Sequence, residues 1–328
     1  MLLARAGREV TLWGRDAGHV ADIASRRENT RYLPGVRIPD AVRCTASLEE
    51  AIGGAERVVV AVPSQGVRAL AGRLATLVES RHAVLSATKG IEAESAARMS
   101  ELLRAALPRA PLAVLSGPNI AREIVNGLPA PTVVASDDPA VAREFQDLIG
   151  TATFRVYRND DVVGVELAGA LKNVIALGAG AIDGMRLGDN AKAGFITRGL
   201  AEIARLGVAA GANPLTFAGL AGFGDLVATA FSKFSRNRTA GELLAQGRSL
   251  DDVRQSLGGQ VTEGVGTTRA ACVLADRYAV EMPIARATFA VLFEGRGIRE
   301  AVTALMAREQ TDEVSGPLAE IARLFTSR

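Results

Sequence analysis

Histidine, cysteine and lysine are all scarce in this chain of 328 residues, and each scarcity removes a class of chemistry. There are two histidines, His19 and His82, and neither stands beside a serine or cysteine, so triad hydrolysis and histidine-ligated metals lose ground. The two cysteines, Cys44 and Cys272, are far apart and in no metal-like spacing, which argues against a disulfide framework or zinc site and fits a reducing cytoplasm. A large excess of one charge sign is absent too. Lys+Arg 38 against Asp+Glu 36 gives a formal charge of +2, too balanced for the basic footprint of a nucleic-acid binder, so small partners are expected. Apolar runs such as 174–182 fall short of the ~20 residues of a membrane span, and no signal-peptide core follows Met1. Lysine occurs only at positions 89, 172, 192 and 233. Where arginine is the default cation, a lysine offers something arginine cannot, an amine able to lose its proton.

What is present is a two-part chain. Hydrophobic residues at 48% and charged residues at 23% are globular values, and the length suits about two domains. Up to residue 160, apolar runs at Glu9–Trp13, Arg57–Val62, Ala83–Ala87, Leu112–Leu115, Thr132–Ala135 and Thr153–Tyr157 read as strands. Helical stretches at 65–79, 94–107 and 138–149 separate them, the βαβ rhythm of an α/β, doubly wound parallel sheet. From 161 the pattern is helical throughout, at 161–182, 190–210, 239–257, 265–278, 283–294 and 297–307. The expected division is therefore 1–160 and 161–328, at the polar break Arg158-Asn159-Asp160-Asp161.

A sheet that binds a dinucleotide normally opens with a strand and a Gly-x-Gly-x-x-Gly turn, and no such segment is found. Residues 1–7 read as the last turns of a crossover helix closed by Gly7, so the expectation is a chain lacking one strand and its phosphate loop, through a late start or damage. At the end of the first visible strand, Arg15 suits a ribose 2′-phosphate and favours NADP over NAD, while Asp16 beside it leaves the choice open. Ligands of open α/β sheets bind beyond the carboxyl ends of the strands. That brings Pro63-Ser64-Gln65, Thr88-Lys89-Gly90 and Ser116-Gly117-Pro118-Asn119 towards one crevice. Lys89 would face an anion there, Gly117 would admit close backbone approach, and Asn119 could cap a helix or bond substrate.

Lys172 lies among Ala168, Gly169, Ala170, Ala176 and Gly178, where burial would ease loss of its proton and suit a general acid/base, with Asn173 as its orienting partner. A long stem could equally cross small residues and end in water. Gly222-Phe223-Gly224-Asp225 presents one carboxylate on a tight bend. Ser232-Lys233-Phe234-Ser235-Arg236-Asn237-Arg238, ahead of a helix expected near Thr239, has the chemistry of a phosphate clamp or of a solvated basic loop. Glu263, in Gln260-Val261-Thr262-Glu263, is either a nicotinamide or ribose ligand or a carboxylate at a helix start.

The strings EVTLWGRD, NTRYLP, AVPSQ, ATKGIE, LSGPNIAREI, NDDVVGVELAGALKNVIA, RLGDNAKA, LAGFGDL, SRNR and VTEGV resemble, in order and spacing, the bacterial NAD(P)-dependent sn-glycerol-3-phosphate dehydrogenases over essentially the whole chain. The resemblance implies a Rossmann domain followed by an all-helical domain, in a cytoplasmic enzyme that forms a homodimer. It also implies reversible reduction of dihydroxyacetone phosphate to sn-glycerol 3-phosphate, the phospholipid backbone precursor, with NADPH or NADH and no metal. It makes Lys172 the catalytic acid/base and places Lys89, Gly117, Asn119, Lys172, Asp225, Ser235, Arg236 and Asn237 at substrate. Arg15, Lys89, Ala121, Arg236, Val261 and Glu263 fall near the nucleotide. Asn119 and Ile120 stand where Ser or Thr and then Phe are frequent, a change that keeps a hydrogen-bonding group. The rival expectation is a catalytically impaired remnant or binding protein without the dinucleotide loop.

Overall fold

The computed structural model describes residues 1–310, 312 and 313. Seven strands form: β1 Val10–Trp13, β2 Val42–Thr45, β3 Arg57–Val60, β4 Ala83–Ser86, β5 Leu112–Ser116, β6 Ala130–Ala135 and β7 Phe154–Asn159. β1 and β2 pair in parallel as one small sheet, and β3 to β7 line up in sequence order as a second. Among the described residues, β1 and β3 each have one edge without a strand partner. Within the larger sheet every pair is parallel except β5 and β6, so the fully parallel sheet expected above is corrected at that point. The reason is local. A parallel return requires a crossover that runs back along the strand, and the five-residue helix Ala121–Val125 rises only about 7.5 Å against the ~17 Å of the five-residue β5.

The middle of the larger sheet is covered on both faces, which explains why β4 is apolar without alternation, whereas Val59 of β3 and Tyr157 of β7, on the two edge strands, are exposed. All four residues of β4 are buried. Val84 packs with Leu70, Leu74, Met99 and Leu103 of the helices Val67–Leu74 and Met99–Ala106, while Leu85 turns to Phe145 and Ile149 of the helix Pro139–Ile149. β2, unexpected from the sequence, is a four-residue strand carrying Arg43 and Cys44.

From Val162 onward the structure is helical and organised around one helix, Val162–Met185. Asp161 caps it by accepting from the Gly164 N–H at 2.8 Å, and its second oxygen accepts from the Thr216 hydroxyl at 2.6 Å. The helix ends at Arg186, whose φ of 58° leaves the helical region. By length and composition Val162–Met185 and the stretch Pro214–Phe231 could each cross a membrane, a length the sequence reading did not expect; in this fold 83% of the first one's most apolar window is buried. Ile175, Ala179 and Leu171 build its core with Ile203, Leu226, Ala271 and Leu274. Against its C-terminal half lies the helix Arg236–Ala245 at near-contact distance. A Cβ on Gly241 would stand 1.9 Å from the Leu177 carbonyl oxygen, and one on Gly180 equally close to that of Arg238. The single helix expected over 239–257 is two, Arg236–Ala245 and Leu250–Ser256, parted at Gly247 with φ +87°.

Candidate active site

Lys89 follows β4 and reaches across the strand ends. Its Nζ donates to the Gly117 carbonyl at 2.7 Å and to Asp225 Oδ2 at 2.6 Å. Gly117 has φ +141°, and a Cβ there would press on Thr132 at 3.1 Å from its Cα. Only glycine therefore lets the β5 loop turn its carbonyl towards the lysine. The Asn119 amide donates to Thr132 Oγ1 at 2.9 Å, while its own oxygen is buried without a partner, an acceptor available to a ligand hydroxyl. Gly90, with φ +155°, leaves room for Ser64, whose Cβ would lie 2.5 Å from a Cβ at position 90.

The sheet ends meet the helices at Asp225. Lys172 is 5% exposed, and its Nζ donates to Asp225 Oδ1 at 2.9 Å and to Thr229 Oγ1 at 2.5 Å. Burial lowers the pKa of Lys172 to about 8; the Asp225 charge opposes the shift, and Lys89 and Arg236 reinforce it. For Asp225, burial alone would raise the carboxyl, but Lys172 and Lys89 together hold it below the ordinary carboxylate value. The lysine found among small residues is thus buried, and its pKa is lowered, the direction expected for such a place. Its partners differ from the expectation. Asn173 does not orient it; Asn173 Oδ1 accepts instead from the Asn237 amide at 2.9 Å. Thr229 was not foreseen, although Asp225 and Thr229, four residues apart on the helix Asp225–Phe231, necessarily share a face.

The basic segment is a helix start rather than a loop. Ser235 caps Arg236–Ala245, its hydroxyl accepting from the Arg238 N–H at 3.2 Å, so Arg236 and Asn237 occupy the first turn. Asn237 is buried, with its oxygen accepting from the Gly264 N–H at 2.9 Å. Arg236 is exposed and has no salt-bridge partner among the described residues. First-turn N–H groups and an uncommitted guanidinium are suited to a phosphate.

Glu263 opens the helix Glu263–Arg277 and reaches back to the strand ends: Oε2 accepts from the Ser64 hydroxyl at 2.6 Å. Burial pushes its carboxyl up, against the Ser64 hydrogen bonds. Arg15 is exposed just beyond β1, and the neighbouring Asp16 is committed as the cap of the helix Ala17–Arg26, accepting from the His19 N–H at 3.1 Å. Ala121 begins the helix Ala121–Val125, and Val261 lies two residues ahead of Glu263; neither makes a side-chain hydrogen bond to the lysine cluster. Arg15 thus stands beyond β1, Ser64 with Glu263 beyond β3 and the unpartnered Asn119 amide oxygen beyond β5, all at carboxyl ends of strands.

Residues 1–142 match the family model described as NAD-dependent glycerol-3-phosphate dehydrogenase N-terminus, and residues 161–303 match the corresponding C-terminus model. The chain is 48% identical over 316 residues to the glycerol-3-phosphate dehydrogenase [NAD(P)+] of Anaeromyxobacter dehalogenans (strain 2CP-C), covering 95% of each protein. It belongs to the NAD-dependent glycerol-3-phosphate dehydrogenase family. The same-named protein of Thermoanaerobacter sp. (strain X514) is 46% identical over 96% of this chain and 94% of its own. The crystal structure of glycerol-3-phosphate dehydrogenase from Coxiella burnetii superposes with a TM-score of 0.91 at 35% identity, over 94% of both chains. As a glycerol-3-phosphate dehydrogenase family member the chain is an NAD(P)-dependent oxidoreductase, with a Rossmann-like first part and a helical second part.

Proposed function

We propose that this chain reversibly reduces dihydroxyacetone phosphate to sn-glycerol 3-phosphate at the junction of a dinucleotide-binding part, 1–160, and a helical substrate and catalytic part, 161–328, each lending residues to the other's ligand, with Lys172 as the acid/base. The observation that carries the reading is Asp225, one carboxylate joining a lysine from the sheet ends to a buried lysine of the helical part. The reduced nicotinamide, when bound, supplies a hydride to the ketone carbon. Lys172, protonated below about pH 8, gives a proton to the ketone oxygen as it becomes the alcohol. Asp225 and Thr229 hold the amine so that this proton is aimed at one place. Lys89, Arg236 and the first turn capped by Ser235 take the phosphate, with Asn237 fixing that turn against Asn173. Binding at the phosphate, remote from the reacting carbon, then contributes to the chemical step. Gly117 and Asn119 bound the polyol.

Arg15, Ala121, Val261 and Glu263 hold the nucleotide on this reading. The engagement of Asp16 as a helix cap supports NADPH over NADH, since the residue left to meet the ribose is a cation. Two free cysteines, Cys44 and Cys272, support a cytoplasmic setting. An impaired remnant is the poorer reading, because a buried amine and a second lysine sharing one buried carboxylate form a costly arrangement with no evident structural use. The test is Lys172→Ala: turnover should fall by at least about 10²-fold with NADPH binding nearly unchanged. Equal loss of both would remove Lys172 from the chemistry.

A further inference from the structure

The helix Val162–Met185 carries a carboxylate, Glu166, with a buried side chain that the proposed reaction does not use. Its side chain is 7% exposed. Oε1 accepts from the Ser100 N–H at 2.8 Å, and Oε2 accepts from Arg98 Nη1 at 2.9 Å and from the Ser100 hydroxyl. Ser100 is the second residue of the helix Met99–Ala106, so the carboxylate satisfies a first-turn N–H that has no acceptor within its own helix. Arg98 has a further tie. It pairs with Ile91 in an isolated antiparallel bridge, and Ile91 is buried against Leu167, Ala170 and Leu171 of the long helix.

These links form a closed ring. Lys89 stands two residues before Ile91, and Lys172 stands six after Glu166, about 9 Å further along the helix axis. The ring runs from Lys172 along the helix to Glu166, across to Arg98, through the bridge to Ile91, back to Lys89, and through Asp225 to Lys172 again. A buried ion pair is a poor device for stability alone, since well-packed apolar groups would serve as well or better. Three directional hydrogen bonds on one carboxylate do fix a register, which apolar packing does less sharply.

We propose that Glu166, by holding Arg98 and Ser100, sets the separation of Lys172 and Lys89 and so positions the proton donor against the substrate. It is a positioning residue, and the inference rests on the role proposed for Lys172. The charged groups facing Lys172 are Asp225, Lys89 and Arg236, and those facing Glu166 are Arg98 and, through Arg98, Glu101.

The experiment is Glu166→Gln, assayed with NADPH and dihydroxyacetone phosphate across pH. Loosening the ring draws Lys89 away from Asp225 and admits water to Lys172, both of which favour the ammonium. The expected result is a kcat lower by about 10- to 100-fold with KM little changed, and an alkaline limb of kcat moved upward by about one pH unit. An unchanged kcat overturns the proposal. So does a reduced kcat with the alkaline limb in its original place, which is the behaviour of a residue that only stabilises the fold. If Glu166→Gln does not fold, Arg98→Gln, nearer the surface, is read by the same two criteria. Lys172→Ala separates the levels: an active Lys172→Ala enzyme removes the proposed reaction itself, whereas an inactive one beside a normal Glu166→Gln enzyme removes only the positioning role.

Discussion

Asp225 Oδ1 lies 2.9 Å from Lys172 Nζ, and each charge makes the burial of the other tolerable. Alone, the lysine would shed its proton and the carboxylate would take one up, because burial disfavours both charged forms. Asp225→Asn tests this dependence. Without the carboxylate, Lys172 faces Lys89 and Arg236 with no anion, so its amine should lose its proton at still lower pH. Ketone reduction at pH 7 should fall at least about tenfold, with its alkaline limb moved downward, the direction opposite to that expected for Glu166→Gln. A pH–rate profile of the folded variant reads both quantities. An alkaline limb left where it was would mean that another group holds the ammonium.

The unmodified enzyme has a matching pH dependence. With Lys172 titrating at about 8, kcat for ketone reduction should be flat below that value and decline above it. Oxidation of the alcohol requires the neutral amine, so it should rise through the same pH. Initial rates in both directions over pH 6 to 10 check the pair, and two limbs of the same sign would exclude a shared acid/base.

Packing between the long helix and Arg236–Ala245 gives a third prediction. In Gly241→Ala the new methyl meets the Leu177 carbonyl at 1.9 Å, and backbone must move to admit it. A loss of about 2–3 kcal/mol in stability is expected, from overpacking against a rigid neighbour. Because Arg236 and Asn237 ride on the same helix, KM for the phosphorylated substrate should rise as well. Gly194→Ala, a helical position with nothing within 4 Å, is the control and should be neutral or slightly stabilising in a urea titration.

The elements legible from sequence were those with one dominant cause. Uniformly apolar strands such as β4 announce a sheet covered on both faces, and a lysine set among alanines and glycines announces its own burial. Antiparallel β6 was hidden because strand and helix still alternate around it; the clue is the brevity of Ala121–Val125, a matter of length rather than composition. The partner of Lys172 was misread because adjacent helical residues point about 100° apart, which sends Asn173 to Asn237 and leaves the amine to Asp225, 53 positions away. Ser235, expected at substrate, is also a helix cap, as serine ahead of a helix commonly is, and that use places the helix start at Arg236 rather than near Thr239. Glu166 gave no signal at all, since its partners lie in a different part of the chain.

Asp225 is shared by Lys89 and Lys172, and Arg236, exposed beside them, acts on both Lys172 and Glu263, so three cations stand with two carboxylates while the amine is protonated. Cations outnumber anions there, so a phosphate monoester enters a pocket that offsets much of its charge. Donating the proton removes one positive charge from the amine. A bound nicotinamide that gave up its hydride would gain the charge the amine loses, so the chemical step moves one positive charge from Lys172 to the ring, and the phosphate of the new alcohol keeps the neutralisation it had as a ketone.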